Sequence, residues 1–197
     1  LSDYAKGVLG EAVTASAIAI ARAAGRPVLV DPKSRSFAPY RGAAVLTPNR
    51  LELQAACGHD CSSDEQVVAG ARALLAQGVC DTLVVTRGRD GMSIIPARGE
   101  ALHMHTTARE VFDVSGAGDT AVAAMALGLA HGAPIVDAVR LANRAAAIVV
   151  GKQGTATVTA GEIIAQLDHA GEAGGGKHFT LESVSELVAR WRALELR

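Results

Sequence analysis

The sequence carries almost no net charge: 19 Lys and Arg stand against 20 Asp and Glu, a formal balance of −1. That leaves no electrostatic footprint for nucleic acid or for an acidic membrane surface. No apolar run approaches the roughly 20 residues that span a bilayer, and Leu1 opens no signal peptide. Cysteine is scarce. Cys57, Cys61 and Cys80 are an odd number; Cys57 and Cys61 flank His59, but no second pair with metal-ligand spacing follows, so free cytosolic thiols are expected. There is no Walker A loop, because neither Gly-Lys pair is followed by Ser or Thr, and no internal repeat. What is present is 49% apolar residues over 197 positions, enough for one soluble domain with a core. The chain begins mid-pattern without Met, so a fragment or a processed chain is expected.

The elements alternate. A helix is predicted from about Val8 to Ala24, stopped by Gly25; an apolar strand Pro27–Val30 then runs into Asp31-Pro32-Lys33. Ser34 to Gly42 reads as a loop with Phe37 and Tyr40 as packing anchors, followed by a strand at Ala43–Leu46. A helix from Ser63 to about Gln77 precedes a strand at Thr82–Thr86, which turns through Arg87-Gly88-Arg89-Asp90-Gly91 into Met92–Ile95. Ala101 to His105 alternates as a further strand, with His103 and His105 on one face and no third ligand nearby. A helix from Pro134 to about Val150 contains Asn143, and a Thr159–Glu162 capping box opens a helix to about His169. Residues 171–178 read as a glycine-rich linker and 179–197 as a terminal helix, set apart from residues 1–170. Helices followed by buried strands imply an α/β fold with a mostly parallel sheet.

In such sheets ligands gather at the carboxyl ends of the strands. Asp31 and Lys33 stand at one such end, either as a substrate pair or as a solvated loop pair. Asn49 and Glu52 stand at another. They form a capping box by spacing, and an amide with a carboxylate also suits a hydrated magnesium ion, so both readings hold together. Thr86 and the amides of its glycine turn could face a nucleotide, while Asp90-Gly91 is also an ordinary hairpin turn.

The rest is organised around Asp113-Val114-Ser115-Gly116-Ala117-Gly118-Asp119-Thr120. A β-prone run, Glu110 to Phe112, enters it, and a small-residue apolar run, Ala121 to Ala130, follows. A strand, a glycine turn and a helix in that order make an anion site: the glycines let the backbone approach, and the first-turn N–H groups and helix dipole face the ligand. Asp119 would repel a bound phosphate there. It makes sense as a base that takes the proton of an attacking hydroxyl, or, more plainly, as a helix-favouring first-turn acid. Gly116-x-Gly118-x-x-Ala121 also fits a dinucleotide pattern, but no strand delivers Asp137 as its acid.

The phrase DVSGAGDT resembles the signature of the ribokinase (PfkB) family of carbohydrate kinases. SDYAKG, VLVDPKSRSFAPYRGA, LTPNRLEL, LVVTRGRDGMS and the run ending VVGKQGT are similar to its heptose 7-phosphate kinases. The resemblance covers the carboxyl-terminal two-thirds of such a domain and implies a three-layer α/β/α fold without the family's amino-terminal part and β lid. It implies ATP-dependent phosphorylation of D-glycero-β-D-manno-heptose 7-phosphate at the anomeric hydroxyl, in bacterial cytoplasmic ADP-heptose synthesis for lipopolysaccharide. Asp119 would be the base, and Gly116, Ala117 and Gly118 the anion hole. Asn49 and Glu52 match the family's N-x-x-E, tied to Mg2+ and the ATP phosphates. Thr86, Gly88 and Gly91 match its T-x-G-x-x-G beside ATP, with Asn143 near adenine. Asp113 and the loop near Gly154 match segments that hold a monovalent cation such as K+. A homodimer, and an adenylyltransferase domain after the final helix, belong to full-length relatives; the H-x-G-H pattern of that domain is absent here.

Overall fold

The computed structural model describes residues 1–106 and 113–171. The expected strand at Glu110–Phe112, the linker beyond Gly171 and the terminal helix lie outside the described residues.

Helix α1 (Glu11–Ala23) starts three residues later than the sequence predicts, because Gly10, in extended backbone, is its N-cap. Strand β1 (Leu29–Val30) is shorter than expected. Pro27 has no N–H to give, and the Val28 carbonyl accepts from both Ala44 and Val45, so the regular ladder starts only after it. β2 (Ala43–Leu46) falls where the sequence places it. α2 (Arg50–Cys57) and α3 (Asp64–Leu75) each open with a complete capping box, Asn49 with Glu52 and Ser63 with Gln66. β3 (Cys80–Thr86), β4 (Met92–Pro96) and β5 (Leu102–Met104) follow. Then come α4 (Ala117–Ala130), α5 (Ile135–Val150) and α6 (Ala160–Gly171), the last reaching the residue where the linker was expected to start.

The five strands lie in chain order in one sheet. β1, β2 and β3 are parallel, β4 is antiparallel to β3, and β5 is antiparallel to β4. Four of the five strands therefore point the same way. Alternating side chains divide the core into two layers. Val30, Leu46, Leu83, Val85 and Ile95 face one cluster with Ile18, Leu53, Val67 and Leu74 of α1–α3. Leu29, Val45, Val84, Met92 and Ile94 face the other, with Met125, Val139 and Ala142 of α4 and α5. The result is an α/β/α three-layer fold. Phe37 and Tyr40 are both 1% exposed and anchor their loop as the sequence implies.

α4 and α5 approach closely because their contact is built from small residues. A Cβ at Gly128 would meet the Cα and Cβ of Ala138 at 3.1 Å. At the other end of α4 its first turn lies beside the β3–β4 turn, where the candidate site lies.

Candidate active site

Gly116 has φ +78, a conformation that suits glycine, and it serves as N-cap without any side-chain cap. The Ala117 N–H turns back to the Val114 carbonyl at 3.2 Å, so the amides that face a ligand are those of Gly118 and Asp119. Gly116 packs on the loop after α5, with Thr155 Cγ2 3.6 Å from the position of an added Cβ. Asp113 enters the turn: its Oδ1 accepts from the Ser115 N–H at 2.8 Å. Hydrogen bonds from Ser115 and from the Gly154 backbone hold its carboxyl below the usual range. Asp113 and the loop at Gly154 are thus brought together, as expected.

Next to this turn is a cavity of about 280 Å3. Thr86, Gly88 and Gly91 line it from the β3–β4 turn, Ala117 and Gly118 from the first turn of α4, and Asn143 from α5. Met92, Ala121, Ala147 and Val150 supply apolar wall. The three segments are distant in sequence and share no periodic signal. Asn143 is 7% exposed and donates its amide to the His105 carbonyl at 2.7 Å, which ties α5 to the end of β5 as well as lining the cavity.

The β3–β4 turn is braced from outside. Arg50 pairs with Asp90 at 2.7 Å. The guanidinium of Arg87, 5% exposed, pairs with Asp64 at the start of α3 and donates to the Asp90 carbonyl at 2.9 Å. Sequence reading missed both braces. The one available signal was an arginine just beyond the apolar Leu83-Val84-Val85 run of a strand, a position where a charge is kept only if paired.

At the carboxyl ends of β1 and β2 lies a charged cluster. Asp31 is 6% exposed and so is no solvated loop residue, while Lys33 remains exposed. Lys33 Nζ reaches Asp31 Oδ2 at 3.1 Å and Glu52 Oε1 at 2.9 Å. Burial raises the Asp31 carboxyl above its ordinary value, Lys33 opposes the rise, and the like charges of Glu52 and Asp119 add to it. Burial alone would lower the Lys33 ammonium, but its bonds to Glu52 and Asp31 outweigh that and hold it above the ordinary range. Asp119, in the first turn of α4, is thus within the field of this cluster. Its Oδ1 accepts from the Tyr4 hydroxyl at 2.7 Å.

Asn49 Oδ1 accepts from the Glu52 N–H at 2.9 Å, and Glu52 Oε2 accepts from the Asn49 N–H at 2.7 Å. Each of these oxygens keeps a second lone pair. The set fits a magnesium ion held through its water shell rather than by direct ligation. Among the described residues no group of three or more His, Cys, Asp or Glu side chains is placed to hold a bare metal ion. His103 Nδ1 shares a 2.8 Å hydrogen bond with Ser93 Oγ, and His59 offers its backbone carbonyl, not its ring, to the two neighbouring thiols.

Comparison with protein families matches residues 2–160 to the pfkB family carbohydrate kinases. The chain belongs to that family. Over its whole length it is 50% identical to the bifunctional protein HldE of Rhodospirillum rubrum, of which it covers 40%. It is 50% identical to that of Caulobacter sp., again over 100% of this chain and 41% of the relative. The chain therefore spans about two-fifths of the length of these curated relatives. Among solved structures it resembles Arabidopsis thaliana ribokinase complexed with ribose and ATP, with TM-score 0.69 and 21% identity over 91% of this chain and 53% of that one. It also resembles Escherichia coli phosphofructokinase-2 in complex with potassium, with TM-score 0.69 and 22% identity over 78% of this chain and 50% of that one. These structural likenesses establish the ribokinase-like fold. Among the described residues no helix is long and apolar enough to cross a membrane.

Proposed function

We propose that this chain carries the nucleotide side of an ATP-dependent heptose-phosphate kinase. The reaction is transfer of the γ-phosphoryl group to the anomeric hydroxyl of D-glycero-β-D-manno-heptose 7-phosphate, giving the 1,7-bisphosphate. The observation that carries the reading is the single cavity shared by Thr86, Gly88, Gly91, Ala117, Gly118 and Asn143, with Asp119 next in the chain after Gly118. The likeness to HldE proteins favours a heptose phosphate as the acceptor.

In this reading the adenosine lies against the apolar wall near Asn143, and the phosphates run toward the uncapped turn at Gly116–Gly118. The N–H groups there stabilise charge on the phosphoryl group in flight, and positioning supplies most of the rate. Asp119 takes the proton of the sugar hydroxyl as it attacks. Asn49 and Glu52 hold hydrated Mg2+, which when bound neutralises phosphate charge. Asp31 and Lys33 orient the acceptor at the buried end of β1, Lys33 also keeping Glu52 in place. The turn between Asp113 and Gly154 is where a monovalent cation such as K+ would bind. We place the enzyme in the bacterial cytoplasm, with an adenylyltransferase domain following in the full-length protein, as the word bifunctional in its relatives' name suggests.

The test is an acceptor panel. ADP release from magnesium-ATP by the full-length protein is measured with heptose 7-phosphate, with other sugar phosphates and with nucleosides. Release specific to the heptose phosphate supports the reading. Release with a different acceptor keeps the kinase and refutes the heptose. ATP binding without release for any acceptor refutes the catalytic reading.

A further inference from the structure

Away from the cavity, the corner between α2 and α3 holds two thiols in contact. Cys57 is the last residue of α2, and Gly58 turns the chain after it with φ +73. The turn carries Cys61 back until its Sγ is 3.8 Å from that of Cys57. Both sulfurs lie 3.6 Å from the His59 carbonyl oxygen. Gly70 of α3 makes room for them: a Cβ there would come within 2.9 Å of Cys57 Sγ and 3.2 Å of Cys61 Sγ. Cys57 is half-buried and Cys61 fully buried. Cys80 stands apart on β3, its thiol donating to the Thr82 carbonyl at 3.3 Å.

We propose that Cys57 and Cys61 are a reversible dithiol–disulfide modification site whose oxidant is a peroxide, with Cys57 reacting first and Cys61 resolving. The order follows access, since Cys57 reaches solvent and Cys61 does not. It also follows acidity: burial, then the adjoining Cys57 thiol, push Cys61 up to about 12, so it is a poor first nucleophile. In the first step the Cys57 thiolate attacks one peroxide oxygen and the O–O bond breaks. Cys57 becomes a sulfenic acid, and the other oxygen leaves as water with the thiol's proton. In the second, Cys61 Sγ attacks Cys57 Sγ, the S–O bond breaks and the S–S bond forms. The hydroxyl leaves as a second water with the Cys61 proton. Two thiols lose two electrons and two protons, and one peroxide becomes two waters. A dithiol reductant restores both thiols and is itself oxidised to a disulfide.

The full-length protein is treated with hydrogen peroxide under native conditions, alkylated and mapped by peptide mass spectrometry. The expected result is a cross-linked peptide joining Cys57 to Cys61, lighter by two hydrogens, with Cys80 unoxidised and both bridging thiols recovered after dithiothreitol. Cys61→Ser should stop at a sulfenic acid on Cys57 that dimedone traps. Two unmodified thiols at Cys57 and Cys61 after exposure that oxidises the urea-unfolded protein would overturn the proposal. So would oxidation of wild-type Cys57 to the sulfinic acid with no cross-link. The wild-type measurement stands even if the variant does not fold.

Discussion

The phenol of Tyr4 donates a 2.7 Å hydrogen bond to Asp119 Oδ1 across 115 positions of sequence. The carboxylate assigned as the base is therefore already engaged by the opening residues of the chain. An acceptor hydroxyl approaching Asp119 meets that phenol, and the two compete for the same oxygens.

This contact has a titration signature. The hydrogen bond to the Asp119 carboxylate is the largest cause raising the Tyr4 phenol above its ordinary value. Replacing that carboxylate removes both the charged acceptor and its repulsion of a phenolate. Asp119→Asn should therefore lower the Tyr4 transition. Ultraviolet titration of wild type and variant, each in a Tyr40→Phe background, reads it directly. An unchanged midpoint would mean the contact does not form in solution.

Two glycines of the β3–β4 turn should respond very differently to alanine. Gly91 has φ +84, and a Cβ there would stand 2.0 Å from the Met104 carbonyl oxygen and 2.7 Å from the His105 and Thr106 backbone. Gly88 has φ +61 with nothing within 4 Å of the added atom. Gly88→Ala should cost about 1 kcal/mol, the ordinary penalty for a left-handed residue. Gly91→Ala should cost more than about 4 kcal/mol or prevent folding, because backbone must move. Urea unfolding of the two variants checks the ranking.

Lys33 should matter more at neutral pH than in acid. Burial holds the folded-state pKa of Asp31 above its unfolded value, so Asp31 favours the fold below that unfolded value and loses this contribution as pH rises through the folded one. Lys33 moderates that loss. Lys33→Met lets the Asp31 pKa climb further, and should cost about 1–2 kcal/mol at pH 7 after allowance for solvent screening. The deficit should shrink in acid, as Asp31 takes up a proton. Stability of both proteins measured across that window gives the answer; a deficit that grows in acid contradicts the burial of an ionised Asp31.

Glu52 has two duties that one substitution separates. Gln is competent at the third position of a capping box, so Glu52→Gln should leave the start of α2 within about 0.5 kcal/mol. It removes the charge that we assign to hydrated magnesium and to Lys33. Turnover should fall about tenfold or more, with a higher magnesium requirement. Wild-type turnover at limiting magnesium would return Glu52 to a purely structural role.

These outcomes depend on features that differ in how far the sequence reveals them. The Asn49–Glu52 and Thr159–Glu162 capping boxes, the β2 strand and the buried Phe37 and Tyr40 are local, written in spacing and short apolar runs, and fall where expected. The DVSGAGDT turn is local too, and its glycine sits at the positive φ that the turn requires. β1 is shorter than its apolar run because composition cannot show that Val28 gives its carbonyl to two N–H groups at once. The contacts that complete the site are side-chain pairings between distant segments: Tyr4 with Asp119, Lys33 with Glu52, Arg87 with Asp64. No periodicity encodes them. Asp31 was left undecided for the same reason, since its burial comes from the packing of the fold and not from its neighbours in the chain.

The most direct measurement is sugar-dependent ADP release from magnesium-ATP by the full-length protein, wild type beside Asp119→Asn, with ATP affinity determined in parallel. The account expects turnover to fall by about three orders of magnitude or more while ATP affinity stays within about threefold. An Asp119→Asn variant that releases ADP at the wild-type rate would contradict it.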